Sequence, residues 1–588
     1  MISLVKNNTQ PNIKVQNQQQ FKNRNEHNNS NPNFKGAVEL GTQVLNYFNT
    51  SPAVGACFID FISMAFPRTM VDMSRSFDAG VETGIRESSG TINHALAGII
   101  GLGAGYLVSS AFNKANGVKA HLMFMDGKSV DTFKEFVNVS STSGGYDAKA
   151  YWDTFFKSLR GLNTTKNQSW QALSEESINK ATEIMSEASK KSYSIPKKTF
   201  AEISELIIGE TGAGSTYKVM KPVTESAAKV VEETGVNGSL KDLLASANSM
   251  FKAVTDKAAH DKTPVVQDLE KFLAGVKNRK IATVAAGLSV PLAIGMSVQP
   301  VNRYLTKKRT GSDGFVGVEG REPDHSTKFK LLKTAIALLM GSAMVSTILK
   351  NPKDLYTKFG KASKELLSEL QYKGMVPTIN QFKFIYGLTI MSRMFAARDK
   401  NEVRESAIKD SLGFANWLIL GGFVSKLTAK AFNKGIVNYD ENIHGKGTWN
   451  YIKNAVEKTH EEILYPTLKK LGIKTVGEDG KALPFRKLLN IMQEKAASQD
   501  ATQEIKTLVK ETSSRLKYKN FAQLAGYLYS CLVLGIGIPK LNIAITKHLE
   551  KKAAAQKNAS HNDKMKLANV APLQPESKTF SAFGAYLN

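Results

Sequence analysis

Cysteine is nearly absent: Cys57 and Cys531 are the only two in 588 residues, far apart and each inside an apolar stretch. No disulfide framework is indicated, a reducing compartment is compatible, and both read as small buried hydrophobes. Histidine is sparse as well, nine residues with no two inside one helical turn, so neither H-E-x-x-H nor a local Cys/His zinc set can be assembled. There is no G-x-S-x-G elbow and no cysteine-protease surround. No catalytic residue, metal site or cofactor is therefore assigned, and the chain reads as something other than an enzyme. Acid is the scarcer charge: 52 Asp and Glu against 78 Lys and Arg leave a formal +26, which suits anionic partners and argues against basic ones.

Residues 1–34 lack an apolar run and a small-residue cleavage site, and hold ten Asn and five Gln. They read as a disordered polar leader (1–35) rather than a signal peptide. The tail, 550–588, is similarly polar and reads as disordered. Between them the apolar content is ample for a large core, and sustained strand alternation is missing. The fold class is read as all-α.

The segment "IIGETGAGSTYK" (207–218) has Gly209, Gly214 and Thr216 at P-loop positions, but Ser215 stands where the lysine belongs. The preceding residues have helical spacing, where a P-loop needs a strand, and no strand ending in a magnesium-binding Asp is evident. Nucleotide binding is not expected. Gly209 reads as a helix cap and 212–216 as a turn.

What the chain does contain is an ordered set of weak internal matches. "FIDFISMAFPRTMVD" (58–72) is echoed at 384–399. "RESSGTINHALAGIIGLGAGYLVSSAFNK" (86–114) is echoed at 404–434, with Arg86 and Glu87 facing Arg404 and Glu405. Segment 145–159 faces 443–456 around Trp152 and Trp449, 235–244 faces 477–489, and "LAIGMSVQPVNRYLTK" (292–307) matches 532–547 without a gap. Two diverged repeats follow, each of apolar helices a and b, a polar helical insert and apolar helix c. The expected organisation is helices a and b at 36–114, insert at 115–280, helix c and a connecting apolar helix at 281–350, linker with a and b of the second half at 351–434, second insert at 435–520, and c at 521–549.

A membrane span needs about twenty apolar residues. Residues 88–113, 281–302 and 521–539 qualify, each without Asp, Glu, Lys or Arg; 334–349, second-half b and first-half a, with Asp60, are weaker. The fold is thus expected to be membrane-embedded. Lysine and arginine flank these stretches on both sides, so charge does not orient them. His94, in first-half b, reads as a packing residue with a proton-handling role as the alternative.

The densest polar run, 67–88, places Arg68, Asp72 and Arg75 at helical spacing, followed by Arg86 and Glu87. With Arg404 and Glu405 they form a candidate polar cluster: a salt-bridged connector, or an ion or head-group site between the halves. The leader ending Phe34-Lys35-Gly36, followed by "SMAFPRTMVD" and "AGVETGIRESSGT", resembles a group of uncharacterised bacterial proteins over about the first 115 residues. The resemblance implies a bacterial protein and carries no activity, ligand or site. The function expected is a multi-span bacterial inner-membrane protein, structural or scaffolding or else a transporter, with inserts facing the cytoplasm, anionic lipid as partner and protein partners open. The competing reading is a soluble or peripheral helical protein using basic surfaces on lipid or nucleic acid; nucleic acid is disfavoured for want of a concentrated basic stripe.

Overall fold

The computed structural model describes residues 40–48, 55, 57–119, 122, 125–161, 173–211, 217–222, 235–316, 322–372, 378–416, 422–432, 435–439, 441 and 445–570. These are mostly helical. After a π-helical segment Ile59–Ala65 come α1 (Phe66–Met73) and α2 (Phe77–Asn116). The first insert holds α3 (Gly127–Ser140), α4 (Ala148–Ser158), α5 (Glu175–Lys191), α6 (Lys197–Thr211) and α7 (Leu240–Asp261). Then follow α8 (Leu269–Thr310), α9 (Thr327–Ser346), α10 (Phe359–Glu369), α11 (Ile379–Ala396), α12 (Lys400–Phe414) and α13 (Phe423–Phe432). The second insert holds α14 (Thr448–Asn454), α15 (His460–Lys470) and α16 (Phe485–Ala497). Finally, α17 (Gln503–Ser530) continues through a π-helical segment Cys531–Gly537 into α18 (Ile538–Val570).

Strand is confined to short antiparallel pieces. One hairpin joins Ser141–Thr142 to Gly145–Tyr146, a three-stranded sheet pairs Leu159–Gly161 and Gly235–Gly238 with a central Tyr217–Met220, and Val437–Asn438 pairs with Val456–Glu457. They close the inserts, and there the structure departs from an all-α reading. The first insert has a conventional core: Phe133, Phe136, Tyr151, Trp152, Phe155 and Phe156 have no exposed surface, and Tyr151 Oη donates to the Ala247 carbonyl at 2.9 Å. A buried tyrosine hydroxyl needs such an acceptor.

The long helices α2 and α8 run antiparallel over their whole length. Arg309 Nε bonds Asp78 at 2.9 Å, Asn302 Nδ2 the Glu82 carbonyl at 3.1 Å and Asn93 Nδ2 the Pro291 carbonyl at 2.9 Å, while the Phe112 and Phe272 rings meet at 5.6 Å. Near the middle, Gly101 and Gly287 face each other with the Tyr372 hydroxyl seated against both; a Cβ on Gly101 would lie 2.1 Å from that oxygen. Both inserts sit at the end of the bundle marked by Asn116 and Leu269, where Glu205 of α6 accepts from the Thr475 backbone N–H at 2.8 Å. The turns at 74–76 and 397–399 lie at the other end.

Several expectations change. The c helices extend beyond their apolar stretches into the inserts, α8 beginning at Leu269 and α17 at Gln503. The tail is helical to Val570, consistent with its "EKKAAAQK" composition of strong helix formers; 571–588 and the leader lie outside the described residues. Gly209 is inside α6, which runs to Thr211, where the threonine hydroxyl bonds the Ile207 carbonyl at 2.7 Å. The 212–216 turn lies outside the described residues. Trp152 and Trp449 do not share a setting, the first fully buried and the second 71% exposed. Both cysteines are only partly buried, where small buried hydrophobes were expected. The His94 side chain lies outside the described residues.

Candidate functional site: a buried ionic lattice

The non-insert end of the bundle is held by charges. Arg68, fully buried, donates from Nε to the Leu534 carbonyl at 3.0 Å and from Nη1 to Glu87 at 3.3 Å. The acceptor belongs to the π-helical segment 531–537, and π-bulges free carbonyls for outside partners. Gly535 in that segment lets α1 approach, since a Cβ there would lie 2.5 Å from the Ser63 carbonyl. Glu87 also receives Arg86 at 3.3 Å and Arg393 at 3.3 Å, and Arg393 bonds Asp410 at 2.6 Å. Asp72 accepts from Thr83 Oγ1 at 2.6 Å and from Lys409 at 3.3 Å, with Arg75 at 3.8 Å.

The contacts come in pairs. Arg75, from the turn before α2, binds Glu405 of α12 with two bonds of 2.9 Å. Arg398, from the turn before α12, binds Glu82 of α2, from Nη1 at 3.3 Å and more closely from Nη2. Asn302 of α8 donates to the Glu82 carbonyl at 3.1 Å, and Asn542 of α18 to the Glu405 carbonyl at 3.0 Å. Ser76 caps α2 and Asp399 caps α12. The Phe315 ring lies between the two arginines, 5.6 Å from each guanidinium carbon, within cation–π range. Beneath it is a cavity of about 20 Å³ lined by Asp72, Arg75, Glu82, Thr83, Arg86, Glu405, Ser406 and Lys409. That volume accommodates about one water molecule.

All seven sequence-predicted residues belong to this lattice. Arg68, Asp72, Arg75, Arg86 and Glu87 contribute as above, Glu405 takes Arg75, and Arg404 reaches Glu405 through Thr546, its Nη2 donating to Thr546 Oγ1 at 2.7 Å and that hydroxyl donating to Glu405. Sequence reasoning reads Glu82 only as a rung of the charged ladder in 67–88 and misses Arg393, Arg398, Lys409, Asp410 and Glu402, which takes Arg398 at 2.9 Å. The signal was present in another register. Aligning "RSFDAGVETGIRESSGTIN" (75–93) with "RDKNEVRESAIKDSLGFAN" (398–416) matches Arg75 with Arg398, Glu82 with Glu405, Arg86 with Lys409, Glu87 with Asp410 and Asn93 with Asn416. The "RES" identity used instead lies five residues away, a turn of about 140° around a helix at about 3.6 residues per turn. It therefore put Glu87 opposite Glu405, where the contacts put Glu82.

Among the described residues four helices are long and apolar enough to cross a membrane: Phe77–Asn116, Leu269–Thr310, Thr327–Ser346 and the continuous Gln503–Gln556, with only 28–39% of each apolar window buried. Their outward residues include Ile99, Leu107, Val290, Leu331, Leu339, Leu528 and Leu532. Among the described residues no group of three or more His, Cys, Asp or Glu could hold a metal ion. Compared with protein-family models, curated proteins and solved structures, the chain matches none.

Proposed function

We propose that the chain is an integral membrane protein built from two related halves running parallel, joined at one end by the ionic lattice, and that it serves the passage of a solute. The single observation carrying this is the reciprocity of Arg75–Glu405 and Arg398–Glu82: each half lends an arginine from before helix b to the glutamate on helix b of the other. The c helices support the same arrangement. First-half a packs on second-half c, with Arg68 on Leu534, and second-half a packs on first-half c, where Ser392 Oγ donates to the Met296 carbonyl at 3.0 Å. Pro300 cannot donate to that carbonyl, so the serine supplies the missing bond.

Helices with apolar outer faces and charged inner contacts suit lipid outside and a polar path inside. In this reading the four long apolar helices cross outright while helix a of each half and b of the second cross inside the bundle, so that each half makes three passes, α9 adds one between them, and the even total before the second half keeps the repeats parallel with both inserts on the N-terminal side, which we assign to the cytoplasm. Buried ion pairs contribute little net stability against apolar packing. A passive scaffold gains little from such a lattice, whereas a gate between two halves uses pairs that can part and reform.

Alkaline carbonate extraction of membranes tests the embedding; appearance of the full chain in the supernatant would favour the peripheral reading. Single cysteines at the exposed positions Lys190 and Ser498, probed with an impermeant reagent, test the topology, and labelling of one insert alone from outside would exclude the parallel arrangement.

A further inference from the structure

A second, larger cavity, of about 210 Å³, opens in the second insert between α15 and α17. Thr467 in its wall is bonded hydroxyl to hydroxyl with Thr512 at 2.8 Å, and its lining carries three cations, Lys458, Lys470 and Arg515. The one acid, Glu462, is committed elsewhere. In the capping box of α15 its carboxylate accepts the Thr459 backbone N–H while its own N–H bonds Thr459 Oγ1 at 3.2 Å. Among the described residues Arg515 has one loose ion-pair partner, Glu511 at 3.7 Å, and neither Lys458 nor Lys470 has a salt bridge. Burial pushes the Lys458 ammonium below its ordinary value, Glu462 opposing and the Arg515 charge adding to it. Three cations lining one cavity with a single carboxylate leave a net positive excess that an anion would offset.

We propose that this cavity is a binding site for a phosphate group, held by Lys458, Lys470 and Arg515. The volume exceeds that of a monatomic ion and admits a phosphate with part of its ester. Arg515 lies six residues before Phe521, where the uncharged stretch of α17 begins, a rise of about 9 Å along the helix. That height falls close to the head-group layer, about 5–7 Å deep on each side of the hydrocarbon. Two sources share this chemistry, the head group of an anionic phospholipid and a soluble phosphate ester. The lipid source rests on the membrane reading above, whereas the soluble source does not.

The test uses the purified full-length protein in a non-ionic detergent, titrated separately with short-chain phosphatidylglycerol, short-chain phosphatidylcholine, glycerol 1-phosphate and inorganic phosphate. The variants are Lys458→Gln, Arg515→Gln and, as control, the remote and exposed Lys190→Gln, each checked for unaltered thermal unfolding without ligand. Saturable binding of phosphatidylglycerol, absent with phosphatidylcholine and weakened tenfold or more by either cavity variant but not by the control, is the result expected for a lipid source. Saturation by glycerol 1-phosphate or inorganic phosphate with the same variant pattern identifies the soluble source. No saturable binding of any anion, or equal affinity in Arg515→Gln, which is exposed and tolerates change, overturns the site. Carbonate release of the chain would defeat the membrane reading yet leave the soluble titrations interpretable.

Discussion

The first insert and the helix bundle solve opposite packing problems. In the insert, Trp152 and its aromatic neighbours fill the interior while Lys190, Lys191 and Glu187 face outward. In the bundle the order reverses: Arg68, Glu87, Arg393 and Asp410 lie inside, and Leu107, Leu339 and Leu532 lie outside, 75%, 69% and 61% exposed. One chain follows the water rule in one region and inverts it in another. The difference teaches that the bundle, unlike the insert, needs a covering, since an apolar exterior this extensive is stable only against an apolar medium or a partner; in the membrane reading proposed above that covering is lipid.

The sharpest way to break the comparison is to remove one charge from each kind of core. Glu87→Ala leaves Arg68, Arg86 and Arg393 facing one another, and is expected to cost about 3–5 kcal/mol, because removing one member strands buried charge. The loss should appear as a large fall in the thermal midpoint of the detergent-solubilised protein. Reciprocity gives a stricter version. Arg75→Ala and Arg398→Ala should destabilise to a similar degree, and the exchange Arg75→Glu with Glu405→Arg should recover part of what either change alone removes. An exchange no better than the worse single variant would mean that the two pairs are not independent ion pairs.

A somewhat smaller effect separates the two solvents directly. Leu107→Lys on α2 should reduce membrane insertion, by about 3 kcal/mol if the residue lies near the bilayer centre. In water an exposed leucine to lysine change is nearly neutral, so an unchanged carbonate-resistant fraction would count against the inverted reading. Next comes Gly101→Ala. Its methyl must displace the Tyr372 hydroxyl and crowd the α2–α8 crossing, and overpacking of this kind costs about 1–3 kcal/mol. Pairing it with Tyr372→Ala should recover much of that loss.

The smallest effect near neutral pH belongs to the second insert. His460 is buried, its Nε2 lies 2.7 Å from Asn520 Oδ1, and burial pulls its pKa down to about 4, with the Asn520 bond opposing and Lys519 adding to the shift. The unfolded chain takes up that proton near pH 6.5. The unfolded state thus binds more protons between about pH 6.5 and 4, so stability is complete above that window and declines as pH falls through it. Denaturant midpoints of the insert transition should follow this course. His460→Gln should flatten it, and an unchanged slope would assign the pH dependence to other groups.

Much of the layout was legible before any coordinates. Runs such as 88–113 and 281–302 carry no charge over more than twenty residues, a length that suits a helix and not a strand, so their helical state is readable without knowing their neighbours. Arg68, Asp72 and Arg75 stand out because their spacing follows the helical period, and Arg86 and Glu87 because the pair recurs at Arg404 and Glu405. The tail at 550–570 was misjudged because polarity was weighed above the helix propensity of its Ala and Lys residues.

Local pattern by itself determined that the chain is mostly helical, where its apolar segments lie and which polar run joins the first two. Tertiary structure decided the partners. Arg75 meets Glu405 across 330 positions of sequence and Arg398 meets Glu82 across 316, and nothing in either segment specifies that meeting, because an arginine on a helix end pairs equally well with any carboxylate brought within reach. The choice came from α1 packing on the far c helix and α11 on the near one. That exchange requires the close approach at Gly535 and the carbonyl freed by Pro300, features whose meaning exists only when two distant helices are already side by side.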